Sequence, residues 1–370
     1  MTIPQIEAYV DLDAYAENLR RLGAHAPGAQ LMAVVKANAY GHGLVPMARA
    51  ARAAGVDWLG VATLDEALAL RRAGDEGPLL CWLHAPGADF AAAAEHDVEV
   101  TASSAAQLAE IRAAARVPRF QLKVDTGLAR NGAYGAAWPE LVAAARRAAG
   151  DGLAITGVWS HLACADEPEH PANDAQEARF REAVAELEAA GVDPGLRHLA
   201  NSAALLTRPG AHFDLVRAGI ASYGLPPAPS LVHDVPLRPV MTLRARLAGV
   251  KRVPAGQGVS YGHRHVTDRG TTLGLVPAGY GEGIHRAASG RASAWIHGRR
   301  VPVVGTICMD QLMVDLGDLP ARAGDLITLF GPGDDGEPTA QDWAEASGTI
   351  GYEVVTGLGG RVQHVYGGMS

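Results

Sequence analysis

Short apolar runs alternate with amphipathic segments rich in alanine, arginine and glutamate over most of the first two thirds of the chain. The apolar runs have the length and composition of buried strands, and the segments between them repeat apolar positions at nearly helical spacing. Several segments end at glycine, the usual residue after a helix C-terminus. Predicted strands lie at 31–36, 58–63, 78–83, 98–103, 119–125, 153–161, 196–201 and 213–218, and predicted helices at 64–73, 104–116, 139–149 and 173–190.

Eight strand signals at a spacing of about 26 residues, with helices between most neighbours, favour a (β/α)8 barrel of the TIM type. An open, doubly wound parallel sheet produces the same alternation, so the pattern leaves that fold open. Residues 225–240 contain five prolines and no periodicity. This stretch is typical of a connecting segment.

Beyond residue 240 the pattern changes to strand-like runs with close turn signals between them. Only 339–347 is clearly helical. The strand-like runs lie at 241–250, 271–276, 292–297, 301–315 and 325–330. The chain therefore divides into a predicted α/β barrel over 11–230 and a predicted mainly β C-terminal domain over 231–370.

Composition narrows the functional classes of this 370-residue chain. Hydrophobic residues make up 48% and charged residues 19%, which excludes disorder. A net charge of −8 argues against nucleic acid as a partner, since phosphate binding needs a basic face. We find no uninterrupted apolar run of about 18 residues for a membrane span and no N-terminal signal pattern. The three cysteines, Cys81, Cys164 and Cys308, lie far apart. Their spacing predicts a cytoplasmic protein without a cysteine-based metal site.

Lysine is rare enough to make each lysine informative. Of 32 lysine and arginine residues only Lys36, Lys123 and Lys251 are lysine. Lysine can lose its proton and act as a nucleophile, whereas arginine stays protonated. Lys36 and Lys123 fall on or near the carboxyl ends of predicted strands, where barrel enzymes carry their active sites. Compositional bias is the alternative explanation for any one of them alone.

The segment AVVKANAYGHG at 33–43 puts Lys36 at the end of a buried strand, directly before a glycine-rich turn. Partial desolvation there favours the neutral amine, which suits imine formation with an aldehyde cofactor. A strand-end lysine that extends to water is the common alternative for a bare VVK sequence.

A phosphate site is predicted at the last two strand ends. Asn201 and Ser202 follow the seventh strand signal, and Gly219 and Ile220 follow the eighth. Barrels often bind phosphate with these two loops. Ser202 offers a hydroxyl group, and Gly219 lets a backbone N–H approach the ligand closely. An ordinary helix N-cap is the alternative reading of Ser202 alone.

Nine segments in order resemble the motif series of bacterial alanine racemase, over nearly the whole chain. They are AVVKANAYGHG (33–43), KVDTGLARNG (123–132), SHLACADE (160–167), HLANSAA (198–204), VRAGIASYGL (216–225), VSYG (259–262), PAGYGEG (277–283), GTICMDQ (305–311) and GYEVVTGLGGRV (351–362). The resemblance implies a pyridoxal 5′-phosphate (PLP) barrel of fold type III that interconverts L-alanine and D-alanine. It also implies a homodimer with shared active sites, in which residues 1–10 pack on the C-terminal domain.

The family pattern assigns two bases on opposite faces of the substrate. Lys36 would bind PLP as an imine and act as the first base. Tyr261, in VSYG, would reach in from the other subunit as the second, with His161 and Arg217 as its relay. Arg217 would also donate to the pyridine nitrogen of PLP, and an arginine there cannot give up its proton.

The remaining family positions concern phosphate, substrate and entrance. Tyr40 and Tyr352 would add phenol donors to the phosphate site. Arg130 and the backbone amide of Met309 would bind the substrate carboxylate. Tyr280 would narrow the entrance together with Tyr352, in favour of a methyl side chain.

Lys123 matches a lysine that many family members carry as a carbamate. A plain lysine in a salt bridge is the rival interpretation. The chain departs from the usual family pattern at 281–289 and 361–366, and the first of these departures concerns the entrance. Neither changes a predicted base.

Three other functions remain open at this point. A racemase of broader specificity, acting on alanine and serine, would differ only in its pocket. A PLP-dependent decarboxylase would need an acidic partner for the ring nitrogen instead of Arg217. A non-catalytic PLP-binding protein would lack a large second domain.

Overall fold

The computed structural model describes residues 4–368. Eight parallel strands form one sheet in the order β8-β7-β6-β5-β4-β3-β2-β9. The strands are β2 (Gln30–Val34), β3 (Trp58–Val61), β4 (Leu79–Cys81), β5 (Glu99–Ala102), β6 (Phe120–Lys123), β7 (Ile155–Trp159), β8 (Leu196–His198) and β9 (Leu215–Ala218). All eight lie within the predicted strand signals except for the first residue of β2.

The sheet closes on itself, since β9 pairs with β2 and the chain beyond β8 meets β9. At this seam the Arg217 N–H donates to the Ala200 carbonyl over 3.1 Å, and the Asp214 N–H donates to the Arg197 carbonyl over 3.0 Å. An open doubly wound sheet would instead reverse its strand order at a central crevice. The prediction of a (β/α)8 barrel followed by a mainly β domain is confirmed.

Helices lie between the barrel strands. The four predicted helices are α4 (Leu64–Arg72), α6 (Ala105–Ala113), α7 (Ala137–Gly150) and α8 (Ala172–Ala189). Thr63 and Ser104 cap the first two, because their side-chain oxygens accept backbone N–H groups of the first turn. The others are α1 (Leu12–His25), α2 (Lys36–Tyr40), α3 (Leu44–Ala53), α5 (Phe90–Glu95) and α9 (Ser202–Thr207). Of these, α2 is a left-handed turn.

The second sheet has nine strands in the order β11-β14-β17-β16-β15-β18-β10-β1-β19. They are β1 (Ile6–Asp11), β10 (Met241–Arg246), β11 (Gly249–Val253), β14 (Thr271–Val276), β15 (Ser293–Ile296), β16 (Arg299–Val304), β17 (Leu312–Gly317), β18 (Leu326–Phe330) and β19 (Gln363–Gly367). A separate hairpin joins β12 (Gly258–Val259) to β13 (His265–Val266). Two helices, α10 (Ala340–Ser347) and α11 (Gly351–Thr356), precede β19, and only the first was predicted.

Two predicted strands of this domain are each divided in the structure. The run 301–315 forms β16 and β17, because Gly305 has a left-handed φ of 71° and starts a loop. The run 241–250 forms β10 and β11, which pair with different neighbours. Loops, not apolar content, set these boundaries.

The N-terminal strand belongs to the second sheet. β1 pairs with β10 in antiparallel and with β19 in parallel orientation. Residues 1–3 of the predicted 1–10 segment lie outside the described residues. Residues 225–240 form neither helix nor strand, as the prolines indicate, and the exact division at residue 230 stays a prediction. No helix in residues 4–368 is long and apolar enough to cross a membrane.

Candidate active site

A cavity of about 690 Å³ lies where the carboxyl ends of the barrel strands meet. It collects most of the predicted site residues, from segments far apart in the sequence. Those that line it are Lys36, Tyr40, Lys123, Arg130, His161, Asn201, Ser202, Arg217, Gly219, Ile220 and Tyr352. This is the position at which barrel enzymes carry out their chemistry.

Three predicted site residues lie apart from this cavity, on the β-rich domain. Residues Tyr261, Met309 and Tyr280 are exposed by 74%, 54% and 43%. The Tyr280 N–H donates to the Cys308 carbonyl over 3.0 Å, so the last two belong to neighbouring loops. Within one chain, these three side chains do not complete the cavity.

Lys36 lies two residues after the end of β2 and starts the left-handed turn α2. Ala37, Asn38, Ala39 and Tyr40 all have φ values of 52–53°. Left-handed backbone costs a non-glycine residue roughly 1–2 kcal/mol. Four such residues in succession require support from the surrounding structure, and they direct Lys36 and Tyr40 into one cavity.

Two side chains that the sequence analysis did not identify support this turn. Glu66 accepts the Ala37 N–H over 2.6 Å. The His42 Nδ1 lies 3.1 Å from the Ala39 carbonyl and 3.0 Å from the Tyr40 carbonyl, so it donates to the turn. The T-x-x-E pattern at 63–66 predicts a helix start and could have identified Glu66, but not its contact with the turn.

Lys36 lies in a desolvated and positively charged environment. Burial lowers the pKa of its amine, and the Arg130 and Arg217 guanidinium groups lower it further. Its Nζ lies 6.0 Å from the centroid of the Trp82 ring. These surroundings favour the neutral amine, which is the nucleophilic and basic form.

Arg217 is buried and held by acceptors on several sides. Its guanidinium donates to the Ser160 carbonyl over 2.8 Å and to the Leu199 carbonyl over 2.9 Å. Nδ1 of His198 and Nδ1 of His161 lie 3.0 Å and 3.3 Å away. Burial lowers the pKa of Arg217 to about 9, so the group is cationic at neutral pH.

A chain of buried hydrogen bonds determines the tautomer of His198. The Gln121 amide donates over 3.2 Å to Glu99, which also accepts from Arg119. Because that carboxylate takes the amide N–H, the Gln121 oxygen must accept from Nε2 of His198, 2.7 Å away. Nδ1 of His198 is therefore left as an acceptor for Arg217. Burial and the Arg217 charge also hold the pKa of His198 well below its usual value.

Hydroxyl groups and a glycine form the other wall of the cavity. Ser202 Oγ accepts the Gly219 N–H over 2.9 Å and the Ala221 N–H over 3.3 Å. A Cβ at Gly219 would lie 2.6 Å from the Tyr40 hydroxyl oxygen and 3.5 Å from Ser202 Oγ. Asn201, not Ser202, caps the helix α9. The Ser202 hydroxyl thus faces the cavity wall and is not used as an N-cap.

Lys123 lies close to the Arg217 and Arg130 guanidinium groups of the site. Burial, with Arg217 and Arg130 nearby, lowers the pKa of its amine to about 7. Its Nζ lies 4.0 Å from the centroid of the Trp159 ring, a cation–π distance. The Asp125 carboxylate, from the same motif, accepts the backbone N–H groups of residues 127–130. It therefore holds the Arg130 loop.

Comparison with known proteins agrees with the fold. The family model for the alanine racemase N-terminal domain matches residues 10–227, and that for the C-terminal domain matches residues 240–366. Alanine racemase of Thermobifida fusca is 55% identical over 368 residues, which are 98% of each chain.

Solved structures lead to the same family. That of alanine racemase from Streptomyces lavendulae has a TM-score of 0.96 at 53% identity and covers 100% of this chain and 99% of its own. That of the Bartonella henselae enzyme, which has covalently bound pyridoxal phosphate, has a TM-score of 0.87 at 28% identity and covers 98% of this chain and 100% of its own. Since both domain models match and these relatives cover nearly the whole length, the chain belongs to the alanine racemase family.

Proposed function

We propose that the protein interconverts L-alanine and D-alanine with PLP as its cofactor. The observation that carries the proposal is the convergence of Lys36, Arg217, Tyr40 and Ser202 in one cavity of a chain from the alanine racemase family. A lysine, a fixed cation and two hydroxyl groups are the protein groups that an aldehyde cofactor with a pyridine ring and a phosphate requires.

The chemistry of the cavity fits PLP. Among the described residues that line it, basic side chains occur without any Asp or Glu, so an anionic ligand would balance the charge. The space beside Gly219, which a Cβ would fill, adjoins the Tyr40 and Ser202 hydroxyl groups. A volume of about 690 Å³ lies within the usual range for cofactor sites.

The chain's own residues divide the binding of PLP between them. Lys36 would hold it covalently, and Arg217 would donate to the ring nitrogen. The phosphate would lie against Tyr40, Asn201, Ser202, Gly219, Ile220 and Tyr352. Bound PLP supplies an electron sink that makes the Cα–H of an amino acid acidic. Arg217 keeps its proton in that contact, because a guanidinium donates but does not accept.

Racemisation needs a proton acceptor on one face of the substrate and a proton donor on the other. Lys36 would serve one face from within the barrel. Tyr261 would serve the other face of the partner subunit's site, since this residue is 74% exposed and lies outside the cavity of its own chain. We therefore propose a homodimer in which each active site is completed by both subunits.

The remaining site residues would orient the substrate. Cationic Arg217, with His161 beside it, would favour the ionised form of the incoming phenol. Arg130 and the backbone N–H of Met309 would bind the substrate carboxylate. Tyr280 and Tyr352 would narrow the entrance, so that a small side chain is preferred.

Lys123 would react with CO₂ to form a carbamate. The amine lone pair attacks the carbon, one C–O π bond opens onto oxygen, and the nitrogen releases its proton to solvent. A pKa of about 7 makes the neutral amine available for this step, and nearby Arg217 and Arg130 would stabilise the new negative charge. Contact with the Trp159 ring supports the rival form, a plain ammonium group.

We also propose that the reaction takes place in the cytoplasm. Cys81, Cys164 and Cys308 are all free thiols in the structure. Unpaired cysteines of this kind are typical of a reducing compartment.

Incubation of the purified protein with each enantiomer of alanine and of serine tests the proposed function. Conversion of both alanine enantiomers, with slower conversion of serine, is expected. Borohydride reduction followed by mass spectrometry should locate PLP on Lys36. Absence of interconversion in protein that carries PLP on Lys36 would contradict the racemase assignment.

A further inference from the structure

The residue before Tyr261 has a costly backbone conformation. Ser260 has φ 60° and ψ −170°, a left-handed φ that residues other than glycine rarely adopt. Val259, one residue earlier, is buried in a small apolar cluster with Leu273 and Val304. The chain thus passes from a fixed, buried residue to the exposed Tyr261 through one strained residue.

Two reciprocal hydrogen bonds hold this segment to the chain after β16. The Ser260 hydroxyl donates to the Thr306 carbonyl over 2.6 Å. The Thr306 hydroxyl donates to the Tyr261 carbonyl over 2.9 Å. Each residue therefore uses its side chain to fix the backbone of the other segment, and we call this pair of bonds the 260–306 clamp.

The clamp rests on a rigid support. Thr306 is buried, and Val304 pairs with Met313 of β17 just before it. A Cβ at Gly305 would lie 2.7 Å from the Val259 carbonyl oxygen, so glycine allows the two segments to approach closely. These contacts hold the Tyr261 backbone in a fixed position relative to the nine-stranded sheet. The Tyr261 side chain extends into solvent.

We propose that Ser260 and Thr306 are positioning residues that aim the Tyr261 phenol at the substrate bound in the partner subunit. The inference rests on the proposed function, in which Tyr261 is one of two bases. An exposed phenol on a mobile turn would sample many positions, and a displacement of about 1 Å can cost a hundredfold in rate. The clamp fixes the turn before the two subunits meet.

Isotope effects distinguish a displaced Tyr261 phenol from a general disruption of the active site. The equilibrium constant between enantiomers is fixed, so a variant lowers kcat/KM equally in both directions. Tyr261 removes the Cα proton of only one enantiomer, and Lys36 removes that of the other. A displaced phenol makes its own proton transfer more rate-limiting. The primary deuterium isotope effect should therefore rise with one Cα-deuterated enantiomer and fall with the other.

Thr306→Val removes one bond of the clamp, whereas Thr306→Ser retains the hydroxyl. We expect Thr306→Val to lower kcat about 10–100-fold, with a smaller change in KM and opposite changes in the two isotope effects. Thr306→Ser should recover most of the rate. Ser260→Ala removes the other bond and should give the same isotope pattern.

Ser289→Ala provides a control that removes a hydroxyl contact with the loop of Thr306 from the segment between β14 and β15. Its hydroxyl accepts the Ile307 N–H over 3.0 Å and donates to the Arg286 carbonyl over 2.6 Å, and neither bond involves the Tyr261 turn. It should leave both isotope effects unchanged. Dimer content and cofactor content are measured for every variant. Loss of the dimer would lower the rate even if the orientation of the Tyr261 phenol were unchanged.

Near-wild-type kcat and isotope effects in both Thr306→Val and Ser260→Ala would overturn the positioning proposal. So would equal changes in the two isotope effects with an intact dimer. Failure of the proposed function has a different signature, since the wild-type protein would then not racemise alanine or Tyr261→Phe would retain its full rate.

Discussion

The mouth of the barrel and the loop that carries Tyr261 present reactive side chains in opposite ways. Lys36 projects into a cavity whose walls come from at least five barrel strand ends, and burial lowers the pKa of its amine. Tyr261 projects into solvent from a turn that is held by two side-chain hydrogen bonds. The first group has its chemical environment within one chain. The second has its position fixed by its own chain, and in the proposed dimer the barrel of the partner subunit would supply its chemical environment.

The two domains therefore contribute different properties to the proposed active site. The barrel provides the fixed positive charge of the cavity. Buried hydrogen bonds that run from Glu99 through Gln121 and His198 hold the Arg217 guanidinium in place. The β-rich domain determines geometry, because a nine-stranded sheet supports the exposed loops of Tyr261, Tyr280 and Met309. An active site shared between subunits would combine the two contributions.

The largest effect is expected from Lys36→Arg, which keeps a long basic side chain at the barrel mouth. A guanidinium cannot hold PLP covalently or accept a proton at neutral pH. We expect racemisation to fall by at least about 10⁴-fold, the upper range for loss of a general base. Chiral analysis of the product measures it, with circular dichroism as the control for folding. A residual rate within tenfold of wild type would show that Lys36 is not the base.

Mixed dimers test directly whether Lys36 and Tyr261 of one active site come from different subunits. Lys36→Ala and Tyr261→Phe should each be inactive alone, but a mixed dimer contains one site with both native residues. Random mixing in equal amounts makes half of the dimers mixed, so about a quarter of the wild-type activity should return. Tagged subunits and mass spectrometry confirm the mixing. If mixed dimers form and activity does not return, both bases belong to one chain.

Gly219→Ala probes the wall of the cavity that we assign to phosphate. The added Cβ would lie 2.6 Å from the Tyr40 hydroxyl oxygen, which must then move. We expect PLP to bind about 10–100-fold more weakly, or about 1.4–2.8 kcal/mol. Titration of the apoprotein with PLP measures the affinity. Gly150→Ala is the control, since its Cβ would meet nothing within 4 Å. Equal affinities of the two variants would contradict the assignment.

The sequence predicts the parts of this site that depend on strand ends. Apolar runs located all eight barrel strands, and the residues that follow them, such as Lys36, Ser202 and Gly219, meet in one cavity as barrel geometry requires. The nine motifs led to the correct family, which the domain models and relatives bear out. The local sequence pattern was sufficient to predict these features because each of them depends on only a few consecutive residues.

Features that depend on contacts between distant segments were not predictable in the same way. Glu99, Gln121 and His198 read as ordinary strand residues, and only the closed barrel lines up their side chains. The left-handed turn after Lys36 was also missed. Ala37 and Ala39 favour right-handed helix in isolation, and the supporting contacts from Glu66 and His42 override that preference.

The smallest predicted effect concerns the amine of Lys123 in buffers free of CO₂. Its pKa is about 7 in the folded chain against 10.5 for the ordinary group. Between these values the unfolded chain holds a proton that the folded chain has lost. Rising pH therefore stabilises wild type relative to Lys123→Met, by about 1 kcal/mol from pH 7 to pH 8. Urea unfolding of both proteins at the two pH values measures the difference.

Bicarbonate supplies the second arm of this experiment. The folded carbamate lacks the proton that the unfolded ammonium group holds, so the difference should still grow with rising pH, and the mass of the native protein should rise by one CO₂. A native mass without the added CO₂ in bicarbonate would favour the plain ammonium group against the Trp159 ring. No pH dependence in either buffer would contradict a free amine with a pKa of about 7. Because the amine belongs to the barrel, dissociation of the dimer should leave its titration nearly unchanged, whereas any activity that needs Tyr261 would be lost.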